Sequence, residues 1–493
     1  MNLGQSIRTG VKWLVVGSTG GQILQFVFGI VLARLLVPAD FGMIATIQVF
    51  TGFVGMLASG GMGQSLIRTK EVDTNDFNAV FTMQLMISTL IYAGFFVAAP
   101  WIAGYFDNPL YTDLLRVSAL SFIMRPSMFV RLAWLNREMN FKSRLQVDLV
   151  VALVVGIASI AMASGGWGVW SLTVSGLLGA LVANVLFARV TPLRPRLFMD
   201  RHTIRKHAAY GLKVTASEML KNLKEQAINL ILSKVAGPGF LGLFNKAESL
   251  ARMPNRLITP PTSQAVFRAM SKVQDDLNQT KYMFHRTITL LLVYIIPLLI
   301  GLWWVAEPFV GLVYGEKWLP MVEPLRIIIL AGAFRTVFIS GSLVLAAQNR
   351  MTQEVIAEAV SLVVSVAACV YGLKWGLAGV AWALVASTVF YTVYIYVLVY
   401  RTLPIRVADL FRAMAPALLL NSLLAVVLTV VHFSLGVLGR VSPVYYLAAM
   451  VASGGIVYAA AFLYLPIPAL RAEAARWREN IGGLLSLASK PFR

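Results

Sequence analysis

Long runs of apolar residues, separated by short polar segments, extend along almost the whole chain. A helix that crosses a membrane needs about 20 largely apolar residues, and most of the runs reach that length. The pattern predicts an all-α polytopic membrane protein with about fourteen transmembrane helices, because a helix satisfies its own backbone hydrogen bonds in lipid. The predicted spans are 11–36, 41–67, 77–103, 112–135, 145–164, 168–189, 210–236, 240–266, 283–306, 324–347, 355–375, 377–400, 413–435 and 444–466.

Two stretches of the chain match each other at an offset of 200 residues. The segment from Leu32 to Gly42 and the segment from Leu232 to Gly242 share a cation, a proline and a glycine at equal spacing. An ordered internal repeat in an apolar chain indicates a transporter whose two halves flank a central path. Further matches follow in the same order, with Leu115-Arg116, Arg125 and Asn136-Arg137 recurring as Leu325-Arg326, Arg335 and Asn349-Arg350.

The repeat predicts the domain organisation. Residues 1–190 form an amino-terminal six-helix lobe, and residues 210–400 form a carboxy-terminal six-helix lobe. The seventh and eighth spans carry several charges, and they are predicted because their repeat partners are clear spans. An even number of spans in each copy makes the two repeats parallel. A basic cytoplasmic linker (191–209), two additional helices (401–470) and a basic cytoplasmic tail (471–493) complete the prediction, the tail being either an amphipathic helix or a solvated segment.

The composition supports a membrane location. The chain has 493 residues, is 58% hydrophobic and 13% charged, and has a mean hydropathy of +0.74, whereas soluble proteins carry about 25% charged residues. Its formal net charge is +20, and most of the Lys and Arg residues fall in loops on one side of the predicted spans. This distribution follows the positive-inside rule, so it requires no nucleic-acid partner and places both termini in the cytoplasm.

Charged residues inside the seventh and eighth spans are the main candidates for chemistry. A charge at the bilayer centre costs about 2.5–3.5 kcal/mol and usually faces a polar interior. The positions 200 residues earlier carry no charge, so the charges are not required by the architecture that both copies share. The candidate substrate-binding cations are Lys221, Lys224, Arg252 and Arg256, and the candidate ion-coupling carboxylates are Glu218, Glu225 and Glu248.

Two interpretations of these charges are open. Helical spacing gives each of the two spans one polar face, and two such faces would line a cavity for an anionic substrate. A carboxylate in such a cavity exchanges protons or sodium ions when its pKa is raised by burial. Alternatively, Lys221–Glu225 and Glu248–Arg252 are local salt bridges that neutralise each other between helices. Pro254 is expected to kink the eighth span in either case.

The pair Arg125 and Arg335 lies within the fourth and tenth spans, at matching positions of the repeat. These residues either reach an anionic group in the path by bidentate hydrogen bonds or anchor the ends of helices and loops. Asp148, near the start of the fifth span, is predicted to pair with Arg144 rather than to couple ions. The chain has no phosphate-binding Walker sequence, metal-ligand spacing or nucleophile elbow, so we expect a transporter driven by a gradient, without a cofactor, rather than an enzyme.

Three short motifs carry a family resemblance, and they lie at 29–42, 60–67 and 136–141. In these motifs the chain resembles the bacterial polysaccharide transporters, which are lipid-linked oligosaccharide flippases, and it is most similar to their colanic-acid-exporter branch. The resemblance covers essentially the whole chain and implies membership of the multidrug/oligosaccharidyl-lipid/polysaccharide superfamily. It further implies a V-shaped transporter with two six-helix lobes that works by alternating access in the bacterial inner membrane.

The resemblance also implies the substrate and the partners. The substrate would be an oligosaccharide repeat unit on undecaprenyl pyrophosphate, flipped across the membrane for exopolysaccharide or lipopolysaccharide synthesis. A polysaccharide polymerase and the export machinery are the expected protein neighbours. Trp303, Trp304 and Tyr294 are either platforms that stack on sugars or members of the interfacial aromatic belt.

Three alternatives remain open at this stage. A lipid II-type flippase of the same superfamily also favours a cationic cavity and has the same number of spans. A cation-coupled multidrug exporter has the same fold, but a cavity rich in Lys and Arg would repel cationic drugs. A polytopic glycan ligase or polymerase is expected to carry a sizeable extracytoplasmic loop, whereas the longest such segments here, at 104–113 and 307–323, are short.

Overall fold

A computed structural model describes residues 20–59, 62–69, 71–437 and 441–488, and some side chains within these ranges, chiefly along 201–221 and 481–488, are left out. All of the regular secondary structure in these ranges is helical. The α-helices are α1 (Gly20–Leu35), α2 (Pro38–Ser59), α3 (Met62–Arg68), α4 (Thr74–Tyr105), α5 (Leu110–Ala119), α6 (Ser121–Arg137), α7 (Phe141–Ser164), α8 (Val169–Val190), α9 (Arg201–Ala251), α10 (Met253–Lys272), α11 (Leu277–Val313), α12 (Val322–Ala347), α13 (Met351–Gly372), α14 (Gly376–Tyr400), α15 (Val407–Val437), α16 (Pro443–Tyr464) and α17 (Arg471–Ala488).

Many of these helices match a membrane span in length and composition. Within the described ranges, ten helical segments are long and apolar enough to cross a membrane. One of these segments, Met351–Tyr400, contains both α13 and α14, which are joined by the short 3-10 helix η2 (Leu373–Trp375). The all-α polytopic fold predicted from the apolar runs is therefore confirmed, and the total of about fourteen spans is compatible with the helices but stays a prediction.

The chain divides into two compact units, at residues 1–243 and 244–493. The first unit contains a core of large apolar side chains, including Phe95, Tyr111 and Phe122. The second unit contains its own core around Phe284 and Tyr391. The lobe boundaries derived from the repeat, at 190 and 210, stay a prediction.

The segment between α8 and α9 lies along the side of α4. Residues 191–200 have no regular secondary structure, and α9 begins at Arg201, so the helix starts within the linker predicted at 191–209. The backbone N–H groups of Arg196 and Phe198 donate to the side chains of Asn78 and Thr82, both at 2.9 Å. Two polar side chains of α4 therefore hold the extended segment in place.

The turns of the two copies correct the alignment of one motif. Met139 follows α6 with φ +52°, and Asn349 follows α12 with φ +55°, an offset of 210 residues. The backbone bonds agree, because Asn140 N–H donates to Leu135 O and Arg350 N–H donates to Leu345 O. The match of Asn136-Arg137 with Asn349-Arg350 is therefore wrong by three residues. The left-handed conformation favours Asn, and Asn349 adopts it at the turn after α12. Asn136 lies within α6, so the two asparagines agree in identity but not in position.

The carboxy-terminal helix α17 is attached to α11. Glu473 pairs with Arg286 at 3.6 Å, and the Trp477 indole N–H donates to the Tyr294 hydroxyl at 3.0 Å. The Tyr294 hydroxyl is also 3.3 Å from Glu473. The start of the predicted tail is thus a packed helix, and Tyr294 is engaged in holding it.

Candidate functional site

The repeated proline–glycine motifs meet each other in the structure. A Cβ atom added to Gly42 of α2 would lie 1.7 Å from the backbone oxygen of Pro238 in α9, and one added to Gly242 would lie 1.9 Å from the oxygen of Pro38. The chain bends between the two halves of α9 at Gly237, whose φ of +84° favours glycine. The two helices therefore cross at a distance that only glycine allows, and the two contacts are reciprocal.

Polar contacts tie α9 to the first copy just beyond this crossing. The Thr46 and Ser233 hydroxyls are 2.5 Å apart, and the Tyr111 hydroxyl donates to Thr46 at 3.3 Å. The Lys234 ammonium lies 2.8 Å from the Asp107 carboxylate and 5.0 Å from the centre of the Tyr105 ring. A buried hydroxyl cluster and a more exposed ion pair thus close this end of α2 against α9.

A buried triad ties the start of α9 to α3 and α4, at the end away from the glycine crossing. His207, which is fully buried in α9, lies 2.8 Å from Ser65 Oγ through Nδ1 and 2.8 Å from Asp76 Oδ1 through Nε2. Asp76 also accepts a hydrogen bond from the backbone of Asp73 as part of a capping box. This triad is missing from the sequence-based candidates. The Asp73–Asp76 spacing predicts the cap, but no pattern in the sequence pairs it with a histidine 131 residues away.

Two of the predicted cations lie on helices that contact α2 near its carboxy-terminal end. The Arg125 guanidinium, on α6, lies 5.0 Å from the centre of the Phe122 ring, and its Nη1 is 2.8 Å from the position of a Cβ on Gly55. The Asn222 side chain, on α9, contacts Met56 Sδ at 3.6 Å, and Lys224 follows two residues later. The fold therefore brings Arg125 and the Lys224 segment to the same level of α2.

Arg125 is unusual among these cations in its surroundings. Its side chain is half-buried, and no hydrogen-bond acceptor or carboxylate among the described side chains and backbone contacts its guanidinium. A buried guanidinium normally has acceptors for its five N–H groups. A half-buried cation with aromatic and glycine neighbours alone can bind an incoming anion without first losing a protein partner.

The eighth-span candidates form a separate group. Arg252 and Glu248 form a salt bridge, with side chains 25% and 19% exposed, as their spacing allowed. Arg256 is exposed and reaches the Ser249 hydroxyl at 3.5 Å. One residue, Arg252, separates the end of α9 at Ala251 from the start of α10 at Met253, and its backbone angles are helical. The kink expected at Pro254 stays a prediction.

The remaining candidates have varied surroundings. The side chains of Glu218 and Lys221 lie outside the described residues, although their backbone belongs to α9. Lys224, Glu225 and Arg335 each have at least one polar or ring interaction, so none of them is a bare charge.

Two charged residues outside the candidate set have clear partners. The predicted pairing of Asp148 with Arg144 is confirmed, at 3.6 Å. Lys246 lies against two aromatic rings, 5.0 Å from the centre of Tyr314 and 5.7 Å from that of Trp318. Its ammonium is therefore held by the π faces of buried rings, an arrangement that helical spacing alone did not indicate.

Comparison with known proteins identifies the family. A profile described as "Polysaccharide biosynthesis protein" matches residues 31–323, which is more than half of the chain. The chain belongs to this polysaccharide biosynthesis family. The match includes the glycine crossing, the buried triad and every candidate charge except Arg335.

Two curated relatives are similar over most of their length. The lipopolysaccharide biosynthesis protein WzxC of Escherichia coli K12 is 24% identical over 68% of this chain and 69% of its own. The succinoglycan biosynthesis transport protein ExoT of Rhizobium meliloti 1021 is 24% identical over 64% of each chain. Among solved structures, the lipid II flippase MurJ in an inward closed conformation aligns with a TM-score of 0.70 at 16% identity, over 90% of this chain and 96% of its own. This last similarity establishes a shared fold.

Proposed function

We propose that this protein flips undecaprenyl-pyrophosphate-linked oligosaccharide repeat units from the cytoplasmic to the outer leaflet, for exopolysaccharide or lipopolysaccharide synthesis. The family match and the transport role printed for ExoT support this function. The shared fold with MurJ supports a transporter of lipid-linked substrates. The structural observation that carries the proposal is the half-buried Arg125, which has aromatic and glycine neighbours but no anionic partner among the described residues.

The pyrophosphate is the part of the substrate that these cations recognise. An arginine binds a phosphate through two parallel N–H···O bonds, which fix its orientation as well as its charge. Arg125 lies against Gly55, and the segment of α9 that carries Lys224 contacts α2 at Met56, so we place the pyrophosphate at this level of α2. Lys221, Arg252, Arg256 and Arg335 complete the proposed cationic set.

Glu248 couples substrate binding to an ion. Its carboxylate holds Arg252 in the described structure, so an incoming phosphate competes with it for the guanidinium. The released carboxylate is then the proposed binding group for the coupling proton or sodium ion. Glu218 and Glu225 are the other proposed coupling carboxylates.

The two ends of the α2–α9 pair are the proposed points of alternating access. The glycine crossing closes one end and the Ser65–His207–Asp76 triad closes the other. Passage of a sugar headgroup requires one of these ends to separate while the other stays closed. In the proposed orientation both termini are in the cytoplasm of the inner membrane, and the glycine crossing faces outwards.

The alternatives are weaker. The similarity to MurJ is one of fold, so it does not favour lipid II over another lipid-linked glycan. A multidrug exporter of the same fold is disfavoured by Arg125, a half-buried cation that has no carboxylate partner among the residues that the structure describes. A ligase or polymerase is disfavoured by the ExoT and MurJ relationships, and a polymerase is proposed as a neighbour in the same pathway.

The test is a deletion of the gene in its own host. We expect loss of the surface polysaccharide and accumulation of the undecaprenyl-linked repeat unit on the cytoplasmic side, measured by mass spectrometry of extracted lipids. Normal polymer without a trapped intermediate would rule out flipping of that glycan and would turn attention to lipid II.

A further inference from the structure

A groove opens on the second unit, away from the candidate charges. It has a volume of about 630 Å³ and lies between the end of α11, the 3-10 helix η1 (Glu316–Met321), the start of α12 and α14. Its polar and aromatic lining consists of Trp303, Glu307, Glu323, Arg326 and Trp382. This volume is in the range of small-molecule sites, which combine aromatic walls with a few polar groups.

The charges in the groove favour a neutral ligand rather than a phosphate. Arg326 is already engaged, because its Nε donates to the Trp303 backbone oxygen at 3.3 Å and its Nη2 lies 3.7 Å from Glu307. Glu323 has no hydrogen bond or ion pair with any other residue that the structure describes. Two carboxylates against one cation would repel a pyrophosphate and accept hydrogen bonds from hydroxyl groups.

Comparison of the two copies of the repeat shows which contacts in this groove belong to the shared fold. In the first copy, Arg116 donates Nε to the Phe96 oxygen at 3.2 Å and lies 4.3 Å from the centre of the same ring. Arg326 makes the same pair of contacts with Trp303, whose ring centre is 5.4 Å away. An arginine on a carbonyl and a ring is therefore architecture common to both copies.

Two residues of the groove have no such counterpart. Glu307 corresponds to Ala99 when Val305-Ala306-Glu307-Pro308 is matched with Val97-Ala98-Ala99-Pro100, and to Pro100 when the count starts from the contacts of Trp303 and Phe96. Neither position carries a carboxylate. Trp382 corresponds to Val174, counted from the Trp-Gly turns at 167–168 and 375–376, whose glycines have φ of +52° and +62°. Glu307 and Trp382 are 67% and 54% exposed. The second copy alone has an exposed indole and carboxylate here, and its fold does not require them.

We propose that this groove binds neutral sugar residues of a glycan on the outer side of the membrane. The indole of Trp382 offers an apolar face to the C–H groups of a sugar ring, with Trp303 as the second wall. Glu307 and Glu323 accept hydrogen bonds from ring hydroxyls. The inference rests on the proposed function for its orientation and for the presence of a glycan.

A sugar-binding groove explains the residues at this site better than an interfacial aromatic belt does. Tryptophan is common at membrane interfaces without binding a ligand. A belt does not require a carboxylate beside each indole, as Glu307 and Glu323 stand beside Trp303 and Trp382 here. Trp101, which is 73% exposed on α4 of the first copy, is an example of an exposed tryptophan outside the groove.

The experiment measures binding by the full-length protein in nanodiscs that contain only phosphatidylglycerol. The probe is a fluorescently labelled oligosaccharide fragment of the host's own surface polysaccharide. We expect saturable binding that W382V and E307A each weaken about tenfold, through loss of one aromatic or hydrogen-bonding contact. The matched control W101V should bind like the wild type. Elution profiles and melting temperatures check folding, and E307A changes an exposed side chain and so should fold.

Three results would overturn the proposal. These are the absence of saturable binding, equal binding by all variants, and loss of binding when phosphatidylethanolamine is added, which would identify a phospholipid headgroup site. The assay has no transport step, so its failure leaves the flipping experiment unaffected. Saturable binding combined with normal polymer in the deletion strain would instead indicate a glycan-binding protein that does not flip the substrate.

Discussion

The spacing of charged residues along a helix predicts some of their contacts but not those with distant parts of the chain. The i, i+4 spacing predicted the Arg144–Asp148 pair and offered the Glu248–Arg252 pair as one of two interpretations, because residues at this spacing are neighbours on a helix surface. The environment of Arg125 was beyond such reasoning, since it depends on Gly55 in a distant part of the chain. Local contacts are thus predictable from spacing, and tertiary ones are not.

The first prediction concerns Arg125. The variant R125A, expressed in the deletion strain, should lower surface polymer about tenfold and trap the lipid-linked intermediate, because a charge-assisted bond to phosphate is lost. R125K should be intermediate, since it keeps the charge without the planar fork. Polymer and intermediate are quantified together with the amount of protein in the membrane.

Arg116 provides the control for this variant. Its guanidinium is bound to the Phe96 oxygen and ring, so R116A should give normal polymer. If R125A reduces the amount of folded protein while the intermediate stays at wild-type levels, Arg125 is an anchor rather than a substrate contact.

At the scale of helices, the repeated proline–glycine motif forms a close helix crossing, although the two copies share few identical residues. The proline and glycine were found as a pattern, but the reason for them appears only where α2 and α9 cross. The buried Ser65–His207–Asp76 triad was not predicted, because its members come from three helices and are each unremarkable in sequence. Conversely, Asn349 was matched to Asn136 by identity, although the turn geometry pairs it with Met139.

The second prediction concerns the crossing. G42A should lower the stability of the purified protein by roughly 1–3 kcal/mol, because the added methyl group meets the Pro238 oxygen and the helices must separate. G242A should behave in the same way. The measurement is the melting temperature in detergent of defined concentration.

Gly52 is the matched control on the same helix. An added Cβ there has no atom within 4 Å, and alanine favours a helix by about 1 kcal/mol over glycine. G52A should therefore melt at the wild-type temperature or above it. Equal melting of G42A and G52A would mean that the close approach does not exist in the membrane protein.

For the whole molecule, the fold class was predictable because lipid leaves helices as the simplest solution for so apolar a chain. The excess of Lys and Arg in the loops on one side also predicts the orientation of the protein in the membrane. The arrangement of charges within the spans was not predictable, since the closest partner of each depends on packing. Arg125 shows this, since its neighbours Phe122 and Gly55 come from two different helices.

The third prediction tests the orientation. A phosphatase that is active only outside the cytoplasm, inserted in η1 near Glu316, should be active. A fluorescent protein that folds only in the cytoplasm should fluoresce when attached to the carboxy terminus. The reverse pattern would place the glycine crossing at the cytoplasmic end and would invert the proposed direction of transport.

The reciprocal contact at the glycine crossing has the form of an isologous interface. Pro38 meets Gly242 while Pro238 meets Gly42, which is how identical subunits related by a two-fold axis touch each other. A single ancestral repeat that dimerised through this motif would have formed both contacts from one pair of residues. The residues that differ between the copies, such as Trp382, then date from after the fusion of the two genes, when one half became free to change alone.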